Sequence, residues 1–215
     1  MDTTPRHIRA RLAIALVLTS LGAAAIAGET PKEGGAAAPD ALGKPPTAEQ
    51  ITAGKAAFQA VHRVLVSPRC MNCHPAGDRP LQTDASTPHA MNISRASEAA
   101  GLQCSTCHQT QNADELVGAP KGAPPGAPNW HLPPVEHPMI FQGRSPAALC
   151  AQLKDPAQNG GKTLVQLLEH VTHDPLVAWG WHPGKGRSLP PLPKDEFVAS
   201  FKTWVDAQGA CPDTP

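Results

Sequence analysis

The pattern Cys-x-x-Cys-His occurs twice in this 215-residue chain, as Cys70-Met71-Asn72-Cys73-His74 and as Cys104-Ser105-Thr106-Cys107-His108. Close cysteine pairs serve three chemistries: zinc binding, thiol–disulfide exchange and covalent haem attachment. A zinc ribbon also uses two such pairs, but about 15–20 residues apart and with no need of a histidine behind each. Here the whole stretch 74–103 lies between them. A dithiol exchanger sits beside a βαβ pattern, and none is visible. Haem attachment accounts for every residue of the motif. Two thiols add to the two vinyl groups of one haem, which sets their spacing. The next residue then presents an imidazole to the iron from the same side. Two copies imply two haem c groups.

The N-terminus supports export, which c-type attachment requires. Arg6, Arg9 and Arg11 precede an apolar run from Leu12 to Ala27 that ends in Ala25-Ile26-Ala27. A basic region, a short apolar run and an A-x-A site make a secretory signal peptide over residues 1–27. The run is short for a membrane span, so no integral membrane segment is expected after cleavage, and the destination is periplasmic. Cleavage removes three arginines and one aspartate, lowering the basic count from 18 to 15 and the acidic count from 18 to 17. No basic excess remains to neutralise phosphates, which excludes nucleic acid as a partner. Residues 28–46, rich in Gly, Ala and Pro, read as a flexible linker ahead of one domain over 47–215. The chain has 4 Phe, 4 Trp, no Tyr and 25 Pro. Aromatic side chains normally supply much of a core's buried area, and a large apolar cofactor would make up the shortfall.

Export plus two C-x-x-C-H motifs resembles a periplasmic dihaem cytochrome c. The segments "CMNCHPAGD", "CSTCHQ" and "DPLVAWGW" further resemble small dihaem proteins labelled as an isoquinoline 1-oxidoreductase subunit. That resemblance implies a redox partner such as a molybdenum hydroxylase or another dehydrogenase. It also implies that Cys70, Cys73, Cys104 and Cys107 are the thioether anchors, and that His74 and His108 are the proximal iron ligands. The second ring N–H of each histidine should then bond a backbone carbonyl or water. The stretch between the motifs is too short for one cytochrome domain per haem. Both haems are therefore expected in one cytochrome c-like domain.

Helical signals dominate that domain. Thr47-x-x-Gln50 is a capping box, opening a helix to about Val66 with Ile51, Phe58, Val61 and Leu65 on one face. Residues 75–103 lack periodicity, apart from a short helix near Ser94–Ala100. The Pro/Gly-rich stretch 118–138 can be ordered only against something, and a haem face is the expected surface. Ser145-Pro146 opens a helix to about Lys154. Thr163 to about Thr172 forms another, and Asp174-Pro175 starts a short one through Trp181. A last helix runs from about Lys194 to Gln208, with Gly209 as its stop. No alternating strand is evident, so the fold class is mainly α with extensive Pro/Gly-rich loops.

Two cysteines remain. Cys150–Cys211 as a disulfide is the leading reading in an oxidising compartment, with a thiolate iron ligand as the alternative. For the distal iron positions the candidates are His89, Met139, His173 and Met91. His89 and Met91 lie between the motifs. Met139 follows Pro138 in a loop ahead of a helix. His173 stands at a helix junction, and His170 of the same helix is also within the set. His62 reads as a core histidine, and His131, His137 and His182 as loop residues. Arg79, Arg95 and Arg187 are available to pair with haem propionates.

These features favour an electron-transfer protein that passes electrons from a dehydrogenase or oxidoreductase partner to a respiratory acceptor. The competing reading is a dihaem enzyme of peroxidase type with one open iron. A sensor would need a signalling segment, and none is visible.

Overall fold

In the computed structural model, residues 43–118 and 122–213 are described. The expected signal peptide, most of the linker and residues 119–121 of the Pro/Gly-rich stretch lie outside them. Seven α-helices and one minimal hairpin follow in chain order: α1 (Ala48–Leu65), α2 (Pro68–Met71), β1 (Leu81–Gln82), β2 (Thr87–Pro88), α3 (Arg95–Ala99), α4 (Pro146–Lys154), α5 (Leu164–His173), α6 (Pro175–Trp179) and α7 (Lys194–Asp206). The protein is mainly helical, as expected.

The helix starts follow from local chemistry. Thr47 accepts from the Gln50 amide while the Gln50 side chain accepts from the Thr47 amide. The same reciprocal pair recurs at Thr163 and Gln166, ahead of α5. Asp174 accepts from the amides of Leu176 and Val177, where the first turn of α6 has no intrahelical acceptor. Gly209, at φ 67°, ends the last helix, its amide bonding the Trp204 carbonyl.

The core is built where α1 crosses α7. Phe58, Val61 and Val64 of α1 and Phe197, Phe201 and Trp204 of α7 are essentially inaccessible. Phe58 and Trp204 have ring centroids 5.0 Å apart, and Phe201 meets Trp204 edge-on at 5.1 Å. A Cβ on Gly54 would collide with the Ala207 methyl, so glycine is what lets the two backbones close up there. Three of the four phenylalanines and one tryptophan therefore serve this one crossing. The aromatic shortage applies to the rest of the domain. Cys150 of α4 is disulfide-bonded to Cys211, with Cα atoms 5.5 Å apart. That bond ties the segment after α7 to α4 and closes a loop of 61 residues.

One element was not expected. β1 and β2 pair antiparallel, with Leu81 opposite Pro88 and Gln82 opposite Thr87. The hairpin is small, but it fixes the path of the segment between the two motifs.

Candidate functional site

The first motif begins inside α2, which starts two residues after Val66 caps α1. Cys70, Cys73 and His74 thus leave directly from the helical core. Burial pushes the Cys70 thiol up to about 12 and the Cys73 thiol up to about 11. Burial and the neighbouring Glu98 also raise Cys104 in the second motif. An exchanging dithiol needs a lowered pKa to present a thiolate, so Cys70, Cys73 and Cys104 have the opposite electrostatics. Cys104 is near enough for its charge to bear on Cys73, so the two motifs come close in space. Among the described residues, no group of three or more His, Cys, Asp or Glu side chains is placed to hold a metal ion. A haem iron takes four ligands from the porphyrin and needs at most two from protein.

Both histidines are held in the same way. His74 Nδ1–H donates to the Met139 carbonyl at 2.7 Å, and His108 Nδ1–H donates to the Pro125 carbonyl at 2.7 Å. A carbonyl can only accept, so each Nδ1 carries the proton and each Nε2 keeps its lone pair. Each ring is also fixed by an aromatic face. Phe141 stacks on His74 at 3.9 Å and 15°, and Trp130 stacks on His108 at 4.5 Å and 2°. Burial lowers the pKa of His74 to about 4 and lowers that of His108 as well. Neutral imidazoles with Nε2 free, each directly behind a Cys-x-x-Cys pair, fit haem c. The four cysteines and two histidines are the residues that would hold it.

The Pro/Gly-rich stretch lies against the two motif histidines. Its Pro125 carbonyl and Trp130 ring bracket His108, and the carbonyl of Met139, which follows it, brackets His74. A Cβ on Gly126 would collide with the carbonyls of Gln109 and Gln111, so the loop can press this close to the second motif only with glycine there. Asn112 binds the loop in place, accepting from the Gly126 amide and the Trp179 indole and donating to the His182 carbonyl.

The distal candidates divide. Met139 stands at φ 48°, and its carbonyl meets the Nδ1 side of His74. Its backbone thus holds the His74 ring, and it would steady that imidazole if His74 held a haem iron. Met91 is 84% exposed at φ 58°. His173 is exposed, its Nε2 3.6 Å from Glu169. His170, one turn earlier, is also exposed, though less so, with Asp174 3.4 Å from its Nδ1 and with its charge bearing on His74. His89 lies beside the second motif, its ring centroid 6.0 Å from that of His108.

The three arginines offered to propionates are engaged with backbone. Arg79 donates twice to the His89 carbonyl. Arg95 donates to the carbonyls of Pro133 and Gly77, and Arg187 to those of Pro183 and Ala123. Arg95 keeps a buried Nη2 without a partner, so it alone retains a buried donor. Of the other histidines, His62 bonds the Arg144 carbonyl through Nε2, as a core histidine should. Trp181 packs on Phe197 of α7.

No protein-family model, no curated protein and no solved structure matches the chain. Among the described residues, no helix is long and apolar enough to cross a membrane.

Proposed function

We propose that this is an exported, periplasmic electron-transfer protein carrying two c-type haems, one on each Cys-x-x-Cys-His motif. One observation carries the reading. In both motifs the histidine donates Nδ1–H to a backbone carbonyl, is clamped by an aromatic ring, and leaves Nε2 free beside two unpaired cysteines. Haem, when bound, supplies a one-electron iron couple whose potential depends on the axial ligands. The residues of the chain hold the rings rigid, keep them neutral, and bring the two sites into one domain. Cysteine pK values above the ordinary range argue against thiol exchange at the same residues.

The donor follows from chemistry only as a class: a dehydrogenase or other oxidoreductase, a molybdenum hydroxylase by the resemblance in the motif segments. The acceptor would be respiratory. The slight acidic excess of the mature chain favours a partner with a basic docking face.

The test is spectroscopic. Optical and EPR spectra of the mature protein, oxidised and reduced, with and without carbon monoxide, should show two low-spin haems that ignore the gas. A high-spin haem that binds it would favour the peroxidase-type alternative. Protein that retains zinc in place of haem would overturn both.

A further inference from the structure

The hairpin between the motifs delivers one histidine to the other motif. His89 follows β2 directly, and its amide bonds the Pro80 carbonyl at 2.8 Å. Arg79 clamps the His89 carbonyl through both Nε and Nη2, at 3.2 and 2.8 Å. The hairpin is in turn pinned to the first motif. Asn72, inside Cys70–His74, accepts from the Leu81 amide and donates to the Thr83 carbonyl, each at 2.8 Å. Arg69 and Asp84 add an ion pair between α2 and the hairpin turn, and Asp84 also accepts from the Ser188 amide. His89 is thus held by Pro80 and Arg79, on a hairpin that Asn72 and Arg69 pin to the first motif.

The ring that results faces His108. The two centroids are 6.0 Å apart, with the planes inclined by 60°. His89 spends its Nδ1 on the Ala90 carbonyl at 2.8 Å, as His108 spends its own on Pro125. Both Nε2 atoms are left without a protein partner. Two imidazoles bound trans through Nε2 to one metal, at metal–nitrogen distances of about 2.0 Å, have ring centroids about 6 Å apart. The spacing therefore leaves room for one iron between these rings. Among the described residues no second histidine ring is paired with His74 in this way, and the ring contact made by His74 is the stacked Phe141.

We propose that His89 is the axial ligand opposite His108, so that the haem on Cys104 and Cys107 is bis-histidine coordinated and the two haems are chemically unequal. The proposal rests on the two-haem reading above. Bis-histidine ligation gives a lower potential than histidine–methionine ligation. The first motif, through Asn72, anchors the arm that completes the second site.

The test uses the mature haem-loaded protein. Near-infrared magnetic circular dichroism of the wild type should contain a bis-histidine low-spin signal. His89→Ala should keep two covalent haems by intact mass, and it should gain one high-spin haem that binds one carbon monoxide per chain when reduced. Added imidazole should return that haem to the low-spin form. His89→Met should replace the bis-histidine signal with a sulfur-to-iron charge-transfer band. Wild-type protein with two haems and no bis-histidine signal would overturn the assignment, and this holds even if the alanine variant fails to assemble. An alanine variant with unchanged spin state and no new gas binding would overturn it too. Wild-type protein with no covalent haem would instead remove the reading beneath it, a failure visible by mass alone.

Discussion

The two motifs share five residue positions and differ in what surrounds them. Cys70–His74 leaves a short helix that packs against the core through Cys70, and the half-buried His74 ring stacks on the core residue Phe141. Cys104–His108 begins in a single turn of 3₁₀ helix, Cys107 is exposed, and its support is loop backbone. The first site adds contact with the packed core to its hydrogen bonds. The second is held by hydrogen bonds from segments that are themselves tied elsewhere: Asn112, Gly126, Arg187 and the hairpin. Apolar packing gives stability that grows with buried area, whereas each such hydrogen bond contributes only about 1 kcal/mol net. The second site should therefore be the softer one, and the one whose geometry can change without unfolding the domain.

Variants can break that comparison. Replacing Cys70 and Cys73 with alanine should abolish assembly of the domain, read as loss of helical circular dichroism and of soluble exported protein. The same change at Cys104 and Cys107 should remove one haem by mass and leave the helical signal and most of the thermal stability. Equal damage from the two pairs would refute the distinction. Next in size is the core itself. Phe58→Ala or Trp204→Ala should cost about 3–5 kcal/mol in denaturant unfolding, because both side chains are wholly buried at the α1–α7 crossing. A loss below about 1 kcal/mol would mean that crossing does not hold the domain together.

Two smaller effects sharpen the picture. Cys150→Ser with Cys211→Ser should lower stability by about 4 kcal/mol in the chain-entropy account of a loop this long. It should leave the spectrum of the second haem unchanged, since the bond ties α4 to the segment after α7. Gly126→Ala should cost about 1–3 kcal/mol as overpacking. Its signature should be selective: an altered environment at the second haem, seen in its axial-ligand spectrum, with the first haem unperturbed.

The features legible in the sequence are those with local causes. The caps at Thr47, Ser145 and Asp174, and the stop at Gly209, are each written within four residues, and all four stand where expected. The Cys150–Cys211 bond followed from counting cysteines. The hairpin had no such signal, because two-residue strands are too short to alternate and its turn uses Thr83 and Ser86 at positive φ in place of glycine. The carbonyl partners of His74 and His108 were foreseen as a type but not as residues, because a backbone acceptor has no side chain to announce it. Met139 illustrates the cost. It was one of the sulfur-ligand candidates, and the contact seen at His74 is through its carbonyl.

The central claim is that both motifs carry covalent haem. Intact mass of the denatured mature protein tests it most directly, because thioether bonds survive denaturation. The account predicts a chain heavier by two haems, with each pair of cysteines blocked to alkylation and Cys150 and Cys211 released only by reductant. A chain of unmodified mass, with Cys70, Cys73, Cys104 and Cys107 all open to alkylation, would contradict it.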